Sequence, residues 1–304
     1  MTTTVERTQE RGVLFVAFGW PYLLLALQSA RSIRATNPGL SIAVVTSPDV
    51  LSRLPSDLRS EADIWQSIDI PASKNRSVKT SADLHSPFDR TIMLDADTFV
   101  VRDLSSMFDW LDHFDVGFKL NEARLGSAGN AAKGSSAVLD GRWTVDDLPH
   151  WNGAVCVFRR SSGTRRFFEL WNQRFDTIGS AYDQVSLVDA IFLSPVKLLS
   201  FDYRWNSPMK SYRNPRRGED VSIVHYGSDI PNEIVEGARR DAELIGPDLH
   251  PRNELERFLS ERAQARAIKE AYLSSRKRQG EERPVKLIVP RAIRDLLSRI
   301  ARRS

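Results

Sequence analysis

Arg90-Thr91-Ile92-Met93-Leu94-Asp95-Ala96-Asp97-Thr98 decides the reading of this chain. The segment begins as a short β-branched apolar run and ends in two carboxylates. A run of that length, bounded by Ser86-Pro87 before it and by Asp-x-Asp after it, reads as a buried strand. Residues two apart in an extended chain point to the same side. Asp95 and Asp97 therefore form a like-charged pair at the carboxyl end of a strand, where open α/β sheets bind their ligands. Two carboxylates so placed repel unless a cation sits between them. A hard divalent ion with open coordination positions fits, and it would also accept diphosphate oxygens.

The neighbouring segments repeat the strand–helix alternation. Val13–Phe18 is a buried strand, broken by Gly19, and Pro21 suits the first turn of a helix running to Thr36. Asn37-Pro38-Gly39 ends that helix. Strands follow at Ile42–Thr46 and Ile64–Ile70, with a helix at Pro48–Leu58 between them. A helix is expected over Lys79–His85 and another after Asp103, whose carboxylate can accept first-turn N–H groups. Val116–Leu120 and Gly153–Phe158 read as strands, Ser162–Phe175 and Asp183–Leu193 as helices, and Val196–Leu199 and Val221–His225 as strands. The pattern is that of an α/β, Rossmann-like, mixed and mostly parallel sheet flanked by helices. Residues 121–150 interrupt it with a Gly-, Ala- and Ser-rich stretch, the length of a loop that is either functional or disordered.

The 304 residues carry 41% hydrophobic and 27% charged side chains, an ordinary globular composition. The formal charge of +4 is uneven: residues 252–304 hold 15 Lys/Arg and 7 Asp/Glu, a net of +8. The remaining body is slightly acidic, which argues against a nucleic-acid groove. The single cysteine, Cys156, lies in the apolar run Ala154–Phe158 and reads as a small core residue, so no disulfide framework is expected. No secretory leader is recognisable, and a cytoplasmic location is expected.

Three segments are expected: a disordered stretch over 1–12, the α/β body over 13–250, and a basic helical extension over 251–304. In the extension Asn253–Arg278 reads as a charged helix. Pro290–Arg303 places Ile293, Leu296, Leu297 and Ile300 on one face with arginines elsewhere. Such a helix could lie on the inner face of an anionic membrane, or pack on the body or on a second copy in a homodimer.

Leu94-Asp95-Ala96-Asp97-Thr98 resembles the DxD motif of GT-A-fold glycosyltransferases, most nearly those of glycosyltransferase family 8. Companion segments match in order over about residues 13–228. Val16–Tyr22 resembles the opening nucleotide-binding strand and helix. Trp151-Asn152-Gly153-Ala154-Val155 resembles the sugar-pocket segment, Tyr182-Asp183-Gln184 the Asp-Gln pair, and Val224-His225-Tyr226-Gly227 the late histidine segment. The resemblance implies a GT-A fold and a hexosyltransferase-like enzyme. Such an enzyme moves a sugar from a nucleotide-diphosphate donor, a UDP-sugar by analogy, to a glycan, lipid-linked or small-molecule acceptor, with retention of configuration.

Carried over by position, Asp95, Asp97 and His225 would ligate manganese or magnesium. Ala17, Phe18, Gly19, Tyr22 and Thr46 would line the nucleotide. Lys79, Ala96, Asn152 and Gly153 would meet the donor phosphates or sugar, and Asp183 and Gln184 would face the reacting carbon. A retaining reaction needs a nucleophilic or charge-stabilising group on that face. The chain departs from the family in one respect. A lysine usually follows the late histidine, and Ser228-Asp229-Ile230-Pro231-Asn232 supplies none; Lys210, Arg213, Arg216 and Arg217 are the candidates to replace it. Two other readings remain: a sugar nucleotidyltransferase, which would need a Gly- and Arg-rich loop where this chain has Phe18–Tyr22, and a non-catalytic sugar- or lipid-binding scaffold.

Overall fold

The computed structural model describes residues 9–71, 74–121, 137–144, 147–178, 183–214 and 218–278. Residues 1–8, the helix expected at Pro290–Arg303, most of the 121–150 loop, Tyr182, Arg216 and Arg217 lie outside the described residues.

In chain order the strands are β1 (Gln9–Val16), β2 (Ser41–Thr46), β3 (Ile64–Ser67), β4 (Phe88–Leu94), β5 (Thr98–Val100), β6 (Val116–Leu120), β7 (Ala137–Val138), β8 (Trp143–Thr144), β9 (Trp151–Arg159), β10 (Leu198–Phe201), β11 (Ser207–Pro208) and β12 (Ile223–His225). The helices that matter below are α1 (Trp20–Thr36), α2 (Asn75–Lys79), α3 (Ala82–His85), α4 (Ser105–Asp109), α5 (Ser162–Ile178), α6 (Asp183–Leu193), α7 (Asn232–Ile245) and α8 (Pro251–Arg278).

Seven strands form the main sheet in the order β10-β6-β9-β4-β1-β2-β3. All neighbours run parallel except β9, which is antiparallel to both β4 and β6. The sheet is therefore mixed and mostly parallel, as expected. The chain runs outward from β1 through β2 to β3, then returns to place β4 on the other side of β1. The gap between the carboxyl ends of β1 and β4 is the switch point where ligands bind in such sheets.

Alternation along the strands builds two cores. Val13, Phe15, Ile42, Val44, Ile92, Leu94, Val155 and Val157 face α1, whose Leu23 and Leu27 are fully buried. Leu14, Val45, Met93, Cys156, Phe118 and Phe158 face α5 and pack on Phe167, Phe168 and Trp171. Burial on both faces explains why these strands read as unbroken apolar runs. Cys156 is fully buried and unoxidised, and burial pushes its thiol pKa well up, as suits a core residue.

Several boundaries differ from expectation, each for a local reason. β1 starts at Gln9, because Gln9, Arg11 and Gly12 pair with β4. The segment expected as one helix over Lys79–His85 is α2 followed by α3. Thr80 and Ser81 lie between them, and the Ser81 hydroxyl donates to the Ser77 carbonyl at 2.6 Å. The expected Pro48–Leu58 helix is two short pieces, Pro48–Ser52 and Ser56–Arg59, separated before Pro55. Asp103 is not the N-cap of α4, a position that Leu104 takes; it stands one residue earlier, where its carboxylate accepts from the Ser105 N–H at 3.0 Å. The helix ends at Asp109 and continues only as a 3-10 turn to Asp112.

A second, three-stranded sheet, β11-β12-β5, stands beside the main one. β5 follows the Asp95–Asp97 turn directly, and β12 pairs with it antiparallel, His225 opposite Thr98. Helices α7 and α8 pack against α1. Among the described residues no helix is long and apolar enough to cross a membrane.

Candidate active site

The turn after β4 is fixed from three sides. The Asp95 N–H donates to the Ala154 carbonyl on β9 at 2.8 Å. The Thr98 hydroxyl donates to the Asp95 carbonyl at 2.8 Å. The Tyr226 N–H donates to the Asp97 carbonyl at 3.1 Å. These bonds aim both carboxylates into a cavity of about 320 Å³ at the β1/β4 switch point. The short β5–β12 ladder brings in His225, whose Nε2 lies 3.3 Å from Asp97 Oδ1. One ligand atom each from Asp95, Asp97 and His225 lie within 4.8 Å of one another. Two carboxylates and an imidazole so converged could hold a metal ion.

The opposite wall is organised by Lys79 at the end of α2. Its Nζ lies 2.6 Å from Asp95 Oδ1 and 3.0 Å from Asp183 Oδ2. Asp183 opens α6, and its carbonyl accepts a hydrogen bond from Trp171 Nε1 at 3.0 Å, which ties the site to the aromatic core. Gly153 on β9 lies against this pair: a Cβ there would sit at ordinary contact distance, 3.5 Å from Asp183 Oδ2 and 3.7 Å from Lys79 Nζ. Asn152 Oδ1 accepts from the Ala154 N–H and from Asn206 Nδ2, which anchors it at the cavity wall.

Burial and pairing set the charges. Burial alone would raise the Asp97 pKa, but His225 and Arg262 overcome it and hold the carboxyl well below its usual range. Asp95 is pushed up, by burial first and by Asp97 next, against the pull of Lys79. Burial works against charge on Lys79, yet Asp183 and Asp95 keep its pKa raised. His225 is also raised, Asp97 prevailing over burial.

Of the residues singled out in the sequence, Phe18, Tyr22, Lys79, Asp95, Ala96, Asp97, Asn152, Gly153, Asp183, Gln184 and His225 all line this cavity. Gly19, in a left-handed conformation with φ 78°, lines an adjoining cavity of about 570 Å³ that shares Phe18, Tyr22 and Asn75 with the first. Ala17 and Thr46 are fully buried and line neither. Lys210 and Arg213 also stay outside both; Arg213 pairs with Asp229 at 3.2 Å.

The residue the sequence did not disclose is Arg262. It reaches in from α8, and its Nη1 donates to Asp97 Oδ2 at 2.9 Å and to the Gly227 carbonyl at 2.7 Å. Its guanidinium lies 4.6 Å from the Phe258 ring centroid and 6.0 Å from that of Tyr22. Nothing in a charged helix marks one arginine among several, so no local signal could have found it.

Sheet order, the antiparallel β9 and the Asp-x-Asp turn at the switch point together define the fold of the GT-A glycosyltransferases. Among solved structures, the galactosyltransferase LgtC in complex with donor and acceptor sugar analogues superposes with a TM-score of 0.52 and 15% identity, over 79% of this chain and 95% of LgtC. The bifunctional glycosyltransferase WbbM gives a TM-score of 0.51 and 14% identity, over 75% of this chain; the match spans 49% of WbbM. No protein-family model and no curated protein matches the sequence.

Proposed function

We propose that the protein is a metal-dependent glycosyltransferase that moves a sugar from a nucleoside-diphosphate sugar to an acceptor hydroxyl. The observation that carries this reading is the convergence of Asp95, Asp97 and His225 with the Lys79–Asp183 pair in one cavity at the switch point. In this reading the three ligands hold Mn²⁺ or Mg²⁺, which when bound neutralises the departing diphosphate. The adjoining cavity beside Gly19 and Tyr22 takes the base and ribose, and the first cavity takes the diphosphate and sugar. The Lys79–Asp183 pair stands beside the sugar, where the carboxylate can stabilise an oxocarbenium-like centre.

The family 8 resemblance supports a UDP-sugar donor and retention of configuration. The acceptor, a glycan, lipid-linked or small molecule, would contact residues within 121–150 and 205–220. A peripheral location on the inner membrane face rests on the basic extension.

Thermal unfolding with a panel of nucleoside diphosphates, each with and without Mn²⁺, tests the proposal. Stabilisation by a diphosphate only in the presence of metal is expected, because a ligand that binds the folded state alone raises its stability. Absence of a metal-dependent response to every nucleotide refutes it.

A further inference from the structure

We propose that Arg262 is the donor-diphosphate clamp of this protein, and that α8 is therefore part of the donor site; the inference rests on the functional reading above. The sequence lacks a cation after His225, where Gly227 is followed by Ser228 and Asp229. The structure delivers one there from elsewhere in the chain: Arg262 bonds the carbonyl of Gly227 itself. Its side chain is 14% exposed and lines the cavity beside Asp97 and His225.

Three observations point to an anionic ligand. First, Arg262 Nε is buried and has no hydrogen-bond partner. A buried charged donor left unmet is costly, and a phosphate oxygen would satisfy it. Second, the guanidinium packs against two rings and also interacts with the Tyr22 side chain. Tyr22 and Phe258 meet edge-on at 5.1 Å and 75°, and both face Arg262. Held this way, a planar fork suits phosphate recognition with little further ordering. Third, the placement of the cations favours it. Arg76, Lys79 and Arg262 all line the cavity, and Arg262 pairs with Asp97. Lys79 is already shared by two carboxylates. A divalent cation would take up charge from Asp97 and leave Arg262 with positive charge to give to the diphosphate.

The same helix supplies Glu254, Arg257, Phe258 and Glu261 to the wall of the adjoining cavity. Segment 251–262 thus stands over both halves of the donor site.

The test uses the full chain. The nucleoside diphosphate that stabilises the wild type with Mn²⁺ is compared with its monophosphate by calorimetry at saturating Mn²⁺, and Mn²⁺ alone is titrated by electron paramagnetic resonance. Arg262→Gln is expected to weaken the diphosphate roughly 10- to 100-fold, the usual loss for one charged hydrogen-bonding contact. The monophosphate is expected to change by less than about threefold, and Mn²⁺ to bind up to about tenfold tighter, because a positive charge leaves Asp97. Equal weakening of diphosphate and monophosphate, or a loss confined to Mn²⁺, would make Arg262 a structural support and overturn the proposal. Tighter diphosphate binding would make it a plug and overturn it also. Should Arg262→Gln fail to fold, Arg262→Lys carries the test: a lysine lacks the fork, and an unchanged diphosphate preference refutes the clamp. A wild type that binds no diphosphate removes the functional reading itself, and the clamp with it. A wild type that binds while the variants bind equally well removes the clamp alone.

Discussion

Replacing Lys79 with methionine isolates the electrostatics of the site. The lysine lies 2.6 Å from Asp95 and 3.0 Å from Asp183, and the three side chains are 14%, 30% and 12% exposed. Methionine keeps the stem and removes the charge. Removing one member of a buried pair costs about 3–5 kcal/mol because the other is left uncompensated. Partial exposure of Asp95 puts this case at the low end, about 3 kcal/mol without metal. For a body of this size that is a fall in Tm of roughly 6–12 °C. The loss depends on pH. Without Lys79 one carboxyl is pushed further above the ordinary aspartate value. A raised folded-state pKa stabilises below the unfolded value and is lost as pH rises through the folded one. The variant should therefore be most destabilised at pH 8 and recover as pH falls towards 5. Mn²⁺ affinity should move the other way from stability: with one positive charge gone from beside Asp95, Mn²⁺ should bind about tenfold tighter, while transfer falls. Thermal unfolding across pH and Mn²⁺ titration followed by electron paramagnetic resonance measure both. A variant as stable as the wild type at pH 8, or one that binds Mn²⁺ more weakly, refutes the reasoning.

Asp97→Ala should abolish transfer and remove the Mn²⁺-dependent rise in Tm, while circular dichroism shows the fold retained; full activity would remove the metal assignment. Gly237→Ala should destabilise by about 1–2 kcal/mol despite the better helix former. An added Cβ would lie 2.1 Å from Gln28 Oε1 and break the bond from Gln28 to the buried Asp241, so an unchanged denaturation midpoint would contradict the packing. For the extension, Leu296→Glu with Leu297→Glu should abolish sedimentation with anionic vesicles if the helix lies on a membrane. Equal vesicle binding by variant and wild type rules that reading out.

Much of the fold was legible because its strands are buried on two faces. Ile42–Thr46 and Thr91–Leu94 announce themselves as apolar runs, and the carboxylates end one of them. Strand direction is a different matter: the period of β9 is the same whether it runs parallel or antiparallel. Helix α7 escaped reading because Glu233, Glu236, Arg239, Arg240 and Glu243 surround a narrow buried stripe of Gly237, Ala238, Asp241 and Ala242. In the site, residues next to a glycine or a strand end could be recognised from their neighbours. Arg262 could not, since its role comes from a contact with Asp97 across 165 residues.

The ladder between β5 and β12 is three residues long, yet it joins Thr98 to His225 and so sets when the candidate site is complete. Loop closure over such a separation is slow and comes late in folding. A nascent chain can build the β1–β4 core well before His225 and Arg262 exist. Metal and nucleotide affinity should accordingly appear as a last kinetic phase during refolding, after the main sheet has formed. The ligand-binding step then doubles as a readout of complete folding.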